Sequence, residues 1–562
     1  MTSIRTGILA ALCLVCCGTG CTAERVDVQL GPKGLSSLKA AGQDLLADGR
    51  VRVTGCFIRR LEGSTYAADL TGGKVTVDAG DNRATVSYPW GSVSATYRTA
   101  AGRLDMLVEV TNASESDTIA ALHLQLMALR LPSEPKFLLL NSERSQPPRP
   151  LGEKACIGSN MNADPTVIHV DYGTGSLALC NEELARALAL GFAPPADKGK
   201  QQSFTCPVLA YTGRHALMPK AGDLPFIDRP VHPRQTQRWR LSLRFGPAGA
   251  SLADLAGDFF PRFAEAYPFR MVDWKDRRPI GRVFIANGGS PTNPRSWVFA
   301  RKIDYSTPAG KTEFKKALLA YADRIIAICK EISAQGIIVW DLEGVEFRNA
   351  KYMGDPRSMP PEMEHDGAVD AFLQRFRDAG LRIGLTIRPQ LLMTPPYKHQ
   401  FLQVRIKERR HRVALLAAKI AHAKKRWGVT IFYLDSNSLI YDDPKIADLP
   451  RDFSWHWDAD MLRQVTAQHP DVLIVPEHKG IQQYAYGAPY IQVNHHQYAA
   501  TPGHVLRTYP KAFSVLQAGG KLDERRDELV QAVRHGDILF FDAWYPSADN
   551  SKVKKIYQDA AK

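Results

Sequence analysis

The chain has 562 residues, 44% of them hydrophobic and 23% charged. That is ordinary globular composition, and the length exceeds what one hydrophobic core supports. The net charge of +14 is spread along the chain. With no zinc-finger spacing, RNA-binding aromatic signature or glycine-rich phosphate loop, a nucleic-acid partner is not expected.

The N-terminus reads as a targeting segment. Arg5 supplies the positive start, and Gly7 to Cys17 form an apolar run too short to span a bilayer. Small residues follow, so residues 1–23 are read as a signal peptide cleaved after Ala23, with export to the periplasm or outside the cell. Gly20 before Cys21 also fits a lipoprotein processing site with a lipid anchor at Cys21. No later stretch is apolar and long enough for an integral membrane span. Five of the nine cysteines lie beyond the leader. An oxidising compartment suggests one disulfide among Cys156, Cys180 and Cys206. Cys329 falls on an amphipathic helix and is read as a small buried hydrophobe.

Residues 24–268 have a β texture. Short alternating runs such as KVTVDAG, ATVSYPW and RLDMLVEVTN recur between Gly, Asn, Asp and Pro, with almost no helical periodicity. That spacing predicts an antiparallel β-sandwich. Its opening, VDVQLGPKGLSSLKAAGQDLLADG, resembles the first strands of galactose-mutarotase-like supersandwich domains, which often precede catalytic barrels in carbohydrate enzymes.

From 269 to 562 the pattern changes to apolar runs alternating with helical ones. A helix is predicted over 311–335, stopped by Gly336. The runs GRVFIANGG, IIVWDLEG, RIGLTIRPQ, VTIFYLDSN, DVLIVPEHK, YIQVNHHQ, AFSVLQAGG and DILFFDAWYP are continuous rather than alternating. Such runs mark strands buried on both faces of a parallel sheet, and this number and size predict a (β/α)8 TIM barrel. The basic cluster KERRHR at 407–412, with Lys424 and Lys425, is read as a solvated helix face.

In this register the strand ends collect polar residues at one mouth: Asp341, Glu343, Arg388, Asp435, Glu477, His478, Asn494, His495, His496, Gln517, Asp542 and Trp544. Glycosidic cleavage needs two carboxyl groups flanking the bond, roughly 5 Å apart for direct attack. Adjacent strands about 4.8 Å apart supply that spacing. Asp435 is short, with Tyr433 and Asn437 beside it, and suits a nucleophile; Glu477 has the reach of an acid/base. The residues expected to bind substrate are Asp341, Glu343, Arg388, Asn437, His478, His496, Asp542 and Trp544. Asp341 and Glu343 remain rivals for catalysis. Either could instead form an ion pair with Arg388, and Glu477 could pair with Arg388 or Lys479. Trp455, Trp457, Tyr484 and Tyr486 could form sugar-stacking subsites, and Arg295, Arg301, Arg348 and Arg357 point to an acidic or sulfated glycan.

Aspartate ending the fourth strand and glutamate ending the fifth resemble the retaining barrels of the α-amylase superfamily. With the sandwich in front, the pattern looks still more like the endo-α-N-acetylgalactosaminidase family. The resemblance implies Asp435 as nucleophile and Glu477 as acid/base; the paired acids in an exported chain with a sandwich module suggest a retaining double displacement on a polysaccharide or glycoconjugate, and no metal or cofactor is expected. One departure stands out. The α-amylase pattern has Arg two residues before its nucleophile, where this chain has Tyr433. Two other readings remain open: a metal-dependent hydrolase using Glu477, His478, His495 or His496 with Asp542, and a non-catalytic glycan-binding protein.

Overall fold

The computed structural model describes residues 25–40, 42–139, 149–150, 156–159, 167–184, 189–193, 203–211, 230–285, 303–304, 307–340, 342, 354–359, 361–388, 391–393, 402–404, 409–435, 459–477, 481–493 and 499–562. Up to Pro247 the described residues form antiparallel sheets of nine, seven and three strands. Alternation builds them. In Arg103–Asn112, Leu104, Met106, Val108 and Val110 are buried. The last three sit opposite Tyr97, Ala95 and Val93 on Gly91–Ala100, forming cross-strand pairs on one core face.

Two short helices, Leu252–Ala256 and Phe259–Ala266, end this half where the sequence reading foresees almost no helix. The signal for the first was present. Ser251 and Asp254 form a reciprocal capping box. Phe259, Phe260 and Phe263 join one buried cluster with Val167, Ala178 and Cys180 of the sandwich and the barrel residues beyond. Cys180 and Cys206 lie in different sheets, and both are buried free thiols. Burial pushes both up to about 12. The expected disulfide among Cys156, Cys180 and Cys206 is therefore absent, since any such bridge needs at least one of these two.

The second half is a parallel barrel: β1 (Ile280–Phe284), β2 (Gly336–Trp340), β3 (Arg382–Ile387), β4 (Ile431–Leu434), β5 (Leu473–Pro476), β6 (Tyr490–Gln492), β7 (Val515–Gln517) and β8 (Ile538–Asp542). The strand order is β5-β4-β3-β2-β1-β8-β7-β6. Each of the eight predicted runs overlaps one of these strands, with β1 and β2 beginning one residue before their runs. At the β5–β6 seam, Ala488 N–H donates to Ile474 O at 2.9 Å. Among the described residues its helices of more than one turn are α1 (Pro308–Ile332), α2 (Ala368–Asp378), α3 (Arg409–Trp427), α4 (Ala459–Gln468), α5 (Gly503–Thr508), α6 (Arg526–Arg534) and α7 (Ala548–Ala560). Between β5 and β6 the described residues carry a 3-10 turn, Ile481–Ala485, in place of a full helix. A small antiparallel hairpin, Leu391–Met393 with Leu402–Val404, follows β3.

Helix α1 shows how local signals set its ends. Thr307 caps it by accepting from Gly310 N–H at 3.0 Å, and Pro308 occupies the first turn. It stops at Ser333, which takes the left-handed conformation at φ 58°, three residues before the expected Gly336. Gly336 has another duty. A Cβ there would lie 2.4 Å from Arg382 O, so only glycine lets β2 and β3 approach at this point.

Candidate active site

The barrel interior ends in a layer of aromatic rings. Trp340 on β2 packs against Tyr433 on β4 with centroids 4.6 Å apart, and Tyr433 meets Tyr490 on β6 edge-on at 5.3 Å. Phe540 on β8 contacts both Trp340 and Tyr490, and Phe284 on β1 contacts Trp340. These contacts fix the strand phase: Tyr433 faces inward. Side chains alternate along a strand, so Asp435, two residues on, leans to the same side.

The ladder carries this phase across three strands. Thr386 on β3 pairs with Tyr433, and Tyr433 pairs with Val475 on β5. Two residues beyond each of them come Arg388, Asp435 and Glu477, side by side at the C-terminal mouth. Backbone bonds continue one step past the strands, with Asp435 N–H donating to Ile387 O (3.0 Å) and Glu477 N–H to Leu434 O (3.3 Å). Both acids are half-buried rather than sealed. Arg388 Nε donates to Asp435 Oδ2 at 2.6 Å, with Arg388 only 7% exposed and Asp435 13%. Arg388 thus pairs with Asp435, the acid for which the sequence suggested Tyr433 and Asn437 as partners.

A second arginine–carboxylate pair closes the other side. Arg282 Nε on β1 donates to Asp542 Oδ1 on β8 at 2.6 Å, and Trp544 Nε1 donates to the same oxygen at 3.2 Å. Arg282 lies over the Phe284 ring, 5.1 Å from its centroid. Trp544 is largely buried between Phe284 and Tyr545, and Tyr545 is the ring that reaches solvent there. The buried Tyr490 hydroxyl reports how these groups converge. Burial raises it well above the usual phenol range; Arg282 opposes this, while Glu477, Asp542 and Asp435 add to it. All four charges therefore act on one hydroxyl, which donates to Gln517 Oε1 at 3.4 Å.

Asp341, Glu343, Asn437, His478 and His496 lie outside the described residues, as do Lys479, Asn494, His495, Trp455, Trp457, Arg295, Arg301 and Arg348. Tyr484 and Tyr486 are buried, and Tyr484 is hydrogen-bonded to Ser514 at 2.9 Å, so neither offers a stacking surface. Arg357 is engaged bidentately by Asp355, at 2.8 and 2.7 Å, rather than left for an acidic sugar. Among the described residues no group of three or more His, Cys, Asp or Glu could hold a metal ion. No helix among them is long and apolar enough to cross a membrane. Sequence reasoning missed Arg282 and Tyr490, although both occupy inward positions of assigned strands.

The same two-part fold occurs in the α-N-acetylgalactosaminidase NagBb from Bifidobacterium bifidum. Its complex with Gal-NHAc-DNJ matches with a TM-score of 0.57 at 10% identity, over 95% of this chain and 91% of that one. Its GalNAc complex gives 0.55 with the same coverage. The α-galactosidase AgaB from Geobacillus stearothermophilus covers 96% of this chain and 74% of its own at 12% identity, with a TM-score of 0.41. No family model matches the sequence, and no curated protein does.

Proposed function

We propose that this chain is an exported glycoside hydrolase that cleaves O-glycosidic bonds of a polysaccharide or glycoconjugate by double displacement. The single observation carrying this reading is the register of β4 on β5, which sets Asp435 and Glu477 as neighbours at the barrel mouth. Parallel strands lie about 4.8 Å apart, close to the roughly 5 Å at which one carboxylate attacks the anomeric carbon while the other protonates the leaving oxygen. Asp435, fixed by Arg388, is the nucleophile. Glu477 is the acid, then the base that activates water against the glycosyl–enzyme ester. Asp542, held by Trp544 behind it, lines the opposite rim of the site, and Asp341, Glu343, Asn437, His478 and His496 are the remaining proposed substrate contacts. Export is supported by the signal-peptide-like pattern of residues 1–23.

Turnover on a panel of aryl glycosides tests this. The panel begins with the α-N-acetylgalactosaminide, because NagBb shares the fold. Asp435→Asn and Glu477→Gln should each lower kcat by about 10²–10⁴-fold, the usual worth of a positioned acid or base. The first-formed sugar should keep its anomeric configuration by NMR. Near-normal turnover in either variant rules out the assignment, and an inverted product rules out double displacement.

A further inference from the structure

We propose that Lys419, on helix α3, is a positioning residue that fixes Arg388 and, through it, Asp435; this rests on the glycosidase reading above. The helix has a solvated basic face, where Arg410, His411 and Lys425 are exposed. Lys419 lies on the other face and is 0% exposed. A buried ammonium costs several kcal/mol unless its donors are engaged. Those of Lys419 converge on one place. Nζ donates to Arg388 O at 2.8 Å and to Gly354 O at 3.2 Å, and lies 3.4 Å from Asp355 Oδ2. Gly354 O also accepts from the Arg388 backbone N–H at 2.9 Å. Both backbone polar groups of Arg388 are thus tied just past the end of β3.

Asp355 supplies the counter-charge. Burial raises its carboxyl, but the Arg357 hydrogen bond and the Lys419 charge outweigh this and hold it below the ordinary value. Stability alone does not account for the arrangement, since an apolar side chain of similar volume usually serves a core as well as a buried ion pair. What an apolar residue cannot do is bond the carbonyl of the residue whose guanidinium holds the nucleophile. The chain of contacts runs Asp355, Lys419, Arg388, Asp435, from the helix layer to the barrel mouth.

The test is a double-mutant cycle in the full-length protein on whichever aryl glycoside the panel shows to be cleaved. Lys419→Met should lower kcat by about 10²-fold, the cost of misplacing a reacting group by an ångström, with KM within about twofold. Lys419→Arg should recover part of that loss. Lys419→Met combined with Arg388→Met should be no slower than Arg388→Met alone, because one residue acts through the other. Wild-type kcat in Lys419→Met, or losses that multiply in the double variant, overturns the proposal. If Lys419→Met does not fold, Asp355→Asn enters the same cycle under the same criteria. Crystals of the variant give a readout independent of any substrate: the Arg388–Asp435 contact should open, and an unchanged contact overturns the proposal. An active Asp435→Asn removes the glycosidase reading and this one together, whereas an inactive Asp435→Asn beside a fully active Lys419→Met removes only the Lys419 role.

Discussion

Two arginine–carboxylate pairs face each other across the barrel mouth, and their first contacts are alike. Arg388–Asp435 and Arg282–Asp542 each join a guanidinium Nε to a carboxylate oxygen at 2.6 Å, on neighbouring parallel strands. Their surroundings differ. Arg388 is 7% exposed and its backbone is clamped by Gly354 and Lys419; Arg282 is 20% exposed and rests on the Phe284 ring. Beyond Asp435 the next strand delivers Glu477, whereas beside Asp542 the next strand, β7, ends in Gln517. On the proposed reading, the pair beside a second acid holds the nucleophile and the pair beside an amide holds a sugar hydroxyl.

Removing the two arginines separates these roles most strongly. Arg388→Met should lower kcat by about 10²-fold, because Asp435 loses the partner that orients it. Arg282→Met should act mainly on KM, with kcat within about tenfold, as expected where binding is the same in ground and transition states. Steady-state kinetics on one aryl glycoside decide it. Equal losses in kcat would mean that both pairs serve the chemical step, and the asymmetry drawn here would fail.

A smaller effect is expected at Gly354. It takes φ +59°, and a Cβ there would lie 2.6 Å from Arg388 N and 2.7 Å from Arg388 Cγ. Gly354→Ala combines left-handed strain with a backbone clash, so stability should fall by about 1–3 kcal/mol. The urea midpoint reads that loss. Turnover should drop with it, because the displaced residue is the one that holds Asp435; a destabilised variant with unaltered kcat would show that Arg388 tolerates movement.

Much of this was legible in the sequence, for identifiable reasons. Continuous apolar runs bounded by turn residues fit strands buried on both faces, so most barrel strands stood out, the sixth and seventh less clearly, and the acids ending the fourth and fifth could be aligned by counting. Arg388 was recognised as polar at a strand end. That Asp435 is its partner depends on strand registration, which no local pattern encodes. Lys419 was hidden for a related reason. In a helix crowded with Arg, His and Lys, one more lysine looks like part of the solvated face, and only packing shows it turned inward. The disulfide expectation failed because an oxidising compartment permits bridges without saying which thiols meet; here two of the three candidates lie in separate sheets. The helices at 252–266 were overlooked because their capping box sits inside a β-rich stretch.

The smallest effect lies at the other end of β3, where a third pair tests whether position in the barrel decides function. Arg382, which opens the strand, donates to Asp276 Oδ2 at 2.8 Å, and Arg278 grips the same carboxylate at 3.0 and 2.7 Å. Burial raises Asp276, but the bonds to Arg278 and Arg382 outweigh it and lower it from 3.8 to about 2. A carboxyl lowered by folding stabilises the protein above its unfolded value and loses that contribution as the pH falls through its folded value. The melting temperature of the wild type should therefore decline between about pH 4 and about pH 2 more steeply than that of Asp276→Asn. The variant should be the less stable of the two at neutral pH, and the gap should close in acid. Turnover at neutral pH should be unchanged, because the N-terminal face of such a barrel serves stability while the chemistry sits at the C-terminal face. A slower Asp276→Asn with an unaltered melting profile would mean that β3 transmits strain along its whole length to Arg388, and the two pairs at its ends would have to be treated as one coupled system.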